Sequence, residues 1–87
     1  MDKDTIRNKI ISTWMNVCKI DNISAPDFTQ NFKLLDSELD SLGFAMLVSE
    51  LEGVFGIDPF AEAELANYPE DFLTFVSFYH RNIKVNG

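Results

Sequence analysis

Apolar residues recur every three or four positions over much of the chain, the spacing that lines one face of an α-helix. Ile6, Ile10, Trp14 and Val17 set out a first helix over roughly residues 4 to 20, with Asp2 or Asp4 placed to cap it and Lys9 and Lys19 on other faces. From residue 21 to 39 the period is lost. NISAPDFTQNFK, with Pro26 and several Asn and Ser, reads as a long connection that Ile23, Phe28, Phe32 and Leu35 would pin to a core. Periodicity returns in Phe44, Leu47, Val48, Leu51 and Phe55, so a second helix starts at Asp40 or Ser41 and stops at Gly56. Pro59 suits the first turn of a short third helix around FAEAELA. Pro69 suits that of a fourth, where Phe72, Phe75, Val76, Tyr79 and Ile83 share one side. No alternating strand pattern competes. The expected fold is an all-α four-helix bundle, three longer helices and one short, with a long first loop, in a single domain over residues 1 to 87.

Hydrophobic residues make up 46% of the chain, enough for one modest core, and the phenylalanine-rich stripe reads as that core, not as an aromatic binding box. The net charge of −7 is unevenly spread: residues 34 to 80 hold ten Asp or Glu and no Lys or Arg. Such a surface repels phosphate backbones and anionic lipid, so nucleic acid is excluded as a partner and basic protein surfaces are favoured. Cys18 is the lone cysteine and reads as a small packing residue. It can form no disulfide within the chain, and no Cys/His cluster has metal-ligand spacing, which fits a reducing, cytoplasmic setting. MDKDTIRNKI lacks the apolar run of a signal peptide and FLTFVSFY is too short to span a bilayer, so a soluble monomer without membrane insertion is expected.

The candidate chemistry lies in LLDSELDSLGF, residues 34 to 44, where Asp40 and Ser41 stand at the junction of the loop and the second helix. Capping alone explains one of the two, since a single Ser or Asp oxygen satisfies a free N–H of the first turn. If Ser41 capped, its N3 partner would be Phe44 and the reciprocal Glu or Gln of a capping box would be missing. A nucleophilic serine is disfavoured: Leu39 stands where a nucleophile elbow needs glycine, and His80 is the chain's one histidine, so no catalytic residue is expected. Asp36, Glu38 and Asp40 alternate as in a calcium loop. Position six would then be Ser41 and position twelve Leu47, which excludes an EF-hand and leaves at most weak, nonspecific divalent binding to the acidic cluster, with no defined metal site. A hydroxyl at a helix N-terminus also suits a phosphodiester, because free N–H groups and the helix dipole favour an anion there.

With Asp40-Ser41-Leu42 opening an amphipathic helix, Leu47 and Leu51 behind it and FGID closing it at residues 55 to 58, the chain resembles the acyl carrier proteins over nearly its whole length. The resemblance implies that Ser41 carries covalent 4′-phosphopantetheine, flanked by Asp40 and Leu42. The arm's thiol would hold an acyl or aminoacyl group as a thioester, and the chain itself would catalyse nothing. It implies as partners a phosphopantetheinyl transferase, an acyl- or aminoacyl-loading enzyme and a downstream acyltransferase or synthase, docking on a surface that includes Ala45, Met46 and Glu50. Two departures bear on cargo. Gly43, Phe44, Ala45 and Met46 replace the acidic residues that fatty-acid-synthesis carriers show early in helix two, and Glu38 stands where many relatives have glycine. A specialised pathway, in secondary metabolism or as a D-alanyl or other aminoacyl carrier of a cell-envelope or peptide pathway, is expected ahead of general fatty-acid synthesis. An unmodified carrier-fold adaptor for protein binding is the alternative.

Overall fold

A computed structural model of the chain describes residues 2–29, 31–61 and 68–86, the last three by their backbone. Helix α1 spans Lys3–Asp21. Asp2 is its cap, accepting the Thr5 N–H at 2.8 Å, and hydrogen bonding from Thr5 holds the Asp2 carboxyl below its ordinary value. The helix closes at Asn22, which takes the left-handed conformation (φ 57°) that Asn tolerates, while the Ile23 N–H returns to the Cys18 carbonyl at 2.9 Å.

The apolar face of α1 is the middle of the molecule. Ile6, Ile10, Trp14 and Val17 are fully buried, and α1 packs against both α2 (Ser41–Phe55) and α3 (Phe72–Asn86). Trp14 meets Phe28, Phe32, Phe44, Phe72 and Phe75 edge-on at 5.7 to 6.3 Å between ring centroids, the arrangement that aromatic quadrupoles favour. One side chain thus joins the first connection to both later helices. Cys18 lies in the same core. Burial, with Glu38 and Asp21 adding to it, pushes its thiol up, so it stays neutral and serves packing.

The long connection is held at defined points. Phe28 is buried and pays for this with a positive φ of 58°, a strained backbone for a bulky residue, and its carbonyl accepts from Arg7 at 3.5 Å. Ile23 and Phe32 are half-buried against the core, as expected. Leu35 is not: it is 98% exposed, and its neighbour Leu34 is the anchor. The reason is tertiary. An antiparallel bridge pairs Lys33 with Asp71, with Leu34 N–H on the Glu70 carbonyl at 2.9 Å and Phe72 N–H on the Phe32 carbonyl at 2.8 Å. The 3-10 turn Leu34–Asp36 that follows points Leu34 inward and Leu35 out.

The start of α3 differs from the expectation that Pro69 opens the last helix. Asp71 caps it: its carboxylate accepts the Thr74 N–H at 2.9 Å, while the Thr74 hydroxyl accepts the Asp71 N–H at 3.2 Å. Those bonds from Thr74, backbone first, hold the Asp71 carboxyl below its ordinary value. Phe72, Phe75, Val76 and Tyr79 are buried and Ile83 packs on the core, as the spacing implies. Phe78 joins them, its ring 5.0 Å from Phe60 in the segment after α2. Asp58 to Ala61 form a turn around the buried Pro59. The short helix expected around FAEAELA falls largely on residues 62–67, outside the described residues. Among the described residues the fold is all-α, with no strand beyond the isolated bridge.

Two buried polar atoms of this core, Trp14 Nε1 and the Tyr79 hydroxyl, have no hydrogen-bond partner among the described residues, and Tyr79 is the one that can be tested conservatively. Its ring is fully buried against Phe55, Phe60 and Phe75, yet its hydroxyl has no hydrogen-bond partner among the described residues, and burial followed by the fields of Asp58 and Glu52 pushes its ionisation well above the ordinary range. A buried hydroxyl without a partner costs about 1 to 3 kcal/mol in lost hydration. Tyr79→Phe is therefore expected to stabilise the protein by about 1 kcal/mol in urea unfolding, and a loss of similar size would show that the hydroxyl is satisfied after all.

Candidate functional site

The site forms where the first connection turns into α2. Asp40 has extended backbone (φ −84°, ψ −176°) and its Oδ1 accepts the Gly43 N–H at 2.7 Å, while its carbonyl accepts the Phe44 N–H at 2.9 Å. Asp40 is therefore the cap, and Ser41 is the first helical residue. The Ser41 side chain is exposed and takes part in no hydrogen bond or ion pair with the described residues. Of the orphan N–H groups of the first turn, that of Gly43 is taken by Asp40, and those of Ser41 and Leu42 have no intrahelical partner. An anion attached at Ser41 would sit beside them, at the positive end of the helix dipole.

Gly43 makes this corner possible. It is buried, and a Cβ there would lie 2.9 Å from Leu39 Cδ2 and 3.2 Å from carboxylate oxygens of both Asp21 and Asp40. A side chain would press on the cap itself. The end of α1, the first connection and the start of α2 come together here around a cleft of about 230 Å³, lined by Asp21, Ile23, Glu38, Asp40, Leu42 and Met46 as well as Gly43. Glu38 is fixed at its rim, accepting the Ser24 N–H at 3.1 Å. Asp21 and Ile23 belong to this site although nothing in the local sequence marks them, because tertiary packing alone brings the α1 terminus to the α2 start.

The expected partner surface is divided. Leu42 is 77% exposed and Ala45 is exposed. Gly43 is buried, Phe44 is half-buried with its ring against Trp14, Phe60 and Phe75, and Met46 is half-buried as the cleft wall. The apolar contact expected over the first two turns thus reduces to Leu42 and Ala45. Turning by about 100° per residue, α2 brings Ala45, Ser49 and Glu52 round to within about 80° of Ser41. All three are exposed. Glu50 falls about half a turn away and lines a separate groove with Met15, Lys19 and Val54. Ser49 and Glu52 were legible in principle, since they stand eight and eleven positions beyond Ser41, whole multiples of the helical repeat to within a fraction of a turn.

Comparison with protein families places this corner inside a known type of domain. The model of the phosphopantetheine attachment site family matches residues 8–69, more than two thirds of the chain, covering most of α1, the first connection and the whole of α2. The chain belongs to this family, the acyl carrier protein domain, whose members carry covalent 4′-phosphopantetheine. No curated protein and no solved structure matches.

Replacing the cap separates its two properties. Asp40→Ala is expected to cost about 1 kcal/mol in denaturant unfolding, whereas Asp40→Asn, which caps as well without the charge, is expected to stay within a few tenths of wild type. Equal losses in both variants would show that the carboxylate acts through its charge and not through the Gly43 bond.

Proposed function

We propose that the chain is a single carrier domain, residues 1 to 87 with the short additional helix included, that bears 4′-phosphopantetheine on Ser41 and presents an acyl or aminoacyl thioester to partner enzymes. The observation that carries this reading is the hydroxyl of Ser41, exposed and without a hydrogen bond among the described residues at the first residue of α2, where Asp40 already holds the cap, within the segment that the family model matches. The arm, when attached, supplies the thiol that a serine hydroxyl cannot replace as an activated acyl bearer. The chain's own residues do the rest. Ser41 Oγ forms the phosphodiester, the N–H groups of Ser41 and Leu42 meet its charge, and Asp40 fixes the helix start that presents them.

The same geometry argues against catalysis by the chain itself. Among the described residues no base is hydrogen-bonded to Ser41, and His80 is half-buried on α3. Partners are a phosphopantetheinyl transferase, a loading enzyme and a downstream acyltransferase or synthase, met through Leu42, Ala45, Ser49 and Glu52. No described helix is long and apolar enough to cross a membrane. The setting is cytoplasmic, in a specialised pathway.

Between the two cargo classes, the cleft beside Ser41 favours the aminoacyl one. Its apolar wall of Ile23, Leu42 and Met46 is ringed by Asp21, Glu38 and Asp40, an environment that attracts a small group bearing an ammonium and repels a carboxylate. Intact-mass measurement after incubation with coenzyme A and a broad-specificity phosphopantetheinyl transferase tests the whole reading. One added phosphopantetheine on wild type and none on Ser41→Ala, with helical circular dichroism unchanged, is the expected result. An unchanged wild-type mass across several transferases would instead favour the unmodified adaptor.

A further inference from the structure

We infer that Leu35 is an anchor for the phosphopantetheinyl transferase, its side chain entering an apolar recess rimmed by Lys and Arg on that enzyme. The inference rests on Ser41 being the attachment residue. A single exposed leucine is ordinary on a protein surface. Leu35 differs in being held out: it is 98% exposed on a turn fixed by the buried Leu34, by the Leu34 N–H bond to Glu70, by the Lys33–Asp71 bridge and by closing bonds from Asp36 and Ser37. The backbone that carries it is thus already in place when a partner arrives, and docking has only the Leu35 side chain left to order.

Its position selects the partner. Leu35 stands six positions before Ser41, a span of at most about 20 Å, which the 3-10 turn shortens. Leu42, also prominently exposed, stands on the other side of Ser41 in the sequence. Enzymes that act on the cargo reach it through a flexible arm and have latitude in where they dock. The transferase has none, because its reacting atom is Ser41 Oγ itself. A footprint of roughly 800 Å² centred on Ser41 spans about 30 Å, so it covers the adjoining Leu42 and extends about 15 Å along the connection towards Leu35, most of the greatest span the chain allows between them.

Charge supplies the chemistry of the rim. Asp36, Glu38 and Asp40 follow Leu35 as exposed carboxylates and Glu70 lies across the bridge, while the basic side chain nearest in sequence, Lys33, faces Asp71 in the same bridge. Between residues 34 and 80 there is no Lys or Arg to offset them. An apolar knob in a negative field is complementary to an apolar recess in a positive one.

The test is steady-state kinetics of arm transfer to the full apo chain, with coenzyme A and a broad-specificity transferase. Leu35→Ser is expected to raise KM for the chain about tenfold with kcat unchanged. Leu35→Lys should raise it further by placing a cation against the basic rim, and Val54→Ser, at the far end of α2, should match wild type. Circular dichroism of each variant confirms the fold. A Leu35→Ser KM within twofold of wild type, or a Leu35→Lys KM no higher than that of Leu35→Ser, overturns the inference and leaves the Ser41 reading standing. A wild-type chain that accepts no arm removes that reading and the inference with it.

Discussion

The bond from the Gly43 N–H to the Asp40 carboxylate decides what Ser41 is free to do. At 2.7 Å it is a short, charge-assisted cap, and it discharges the duty that a serine at a helix start would otherwise perform. With the cap taken one residue earlier, the Ser41 hydroxyl has no structural task and faces solvent. Gly43 is the second half of the device. Its missing Cβ lets Leu39, Asp21 and the capping carboxylate close in on the first turn.

That corner is positioned from inside by α1. Trp14 touches rings from the first connection, α2 and α3, so the helix whose start bears the site is registered against the rest through Phe44. The molecule therefore separates two jobs along α2. Phe44, Leu47 and Leu51 hold the helix to the core, while Ser41, Leu42, Ala45, Ser49 and Glu52 face outward, and the family assignment gives the outward face its use.

Much of this was readable from the sequence because helical periodicity and capping are local. The ranges of α1 and α2, the cap at Asp40 and the stop at Gly56 follow from side chains within one turn of where they act, while the sequence left the first cap between Asp2 and Asp4 and the structure gives it to Asp2. The failures have nonlocal causes. Leu35 was expected inside and Leu34 took its place, because the Lys33–Asp71 bridge sets the phase of that turn from across the fold. Asp71 displaced Pro69 as the start of the last helix through a reciprocal pair with Thr74, a pattern that a search for Pro at the first turn passes over. Phe78 fell outside the expected stripe because its partner, Phe60, comes from the segment after α2. Met46 and Glu50 were assigned to one surface with Ala45, although helical rotation alone separates Glu50 from it.

Whether Ser41 does structural work is decided by the unfolding free energy of Ser41→Ala in urea. Removing a hydroxyl that makes no bond at a first helical position should leave stability within about 0.5 kcal/mol of wild type, with any gain coming from the better helix propensity of alanine. A loss of 1 kcal/mol or more, the signature of a vanished cap, would mean that the serine holds the helix and that its hydroxyl is not free for attachment.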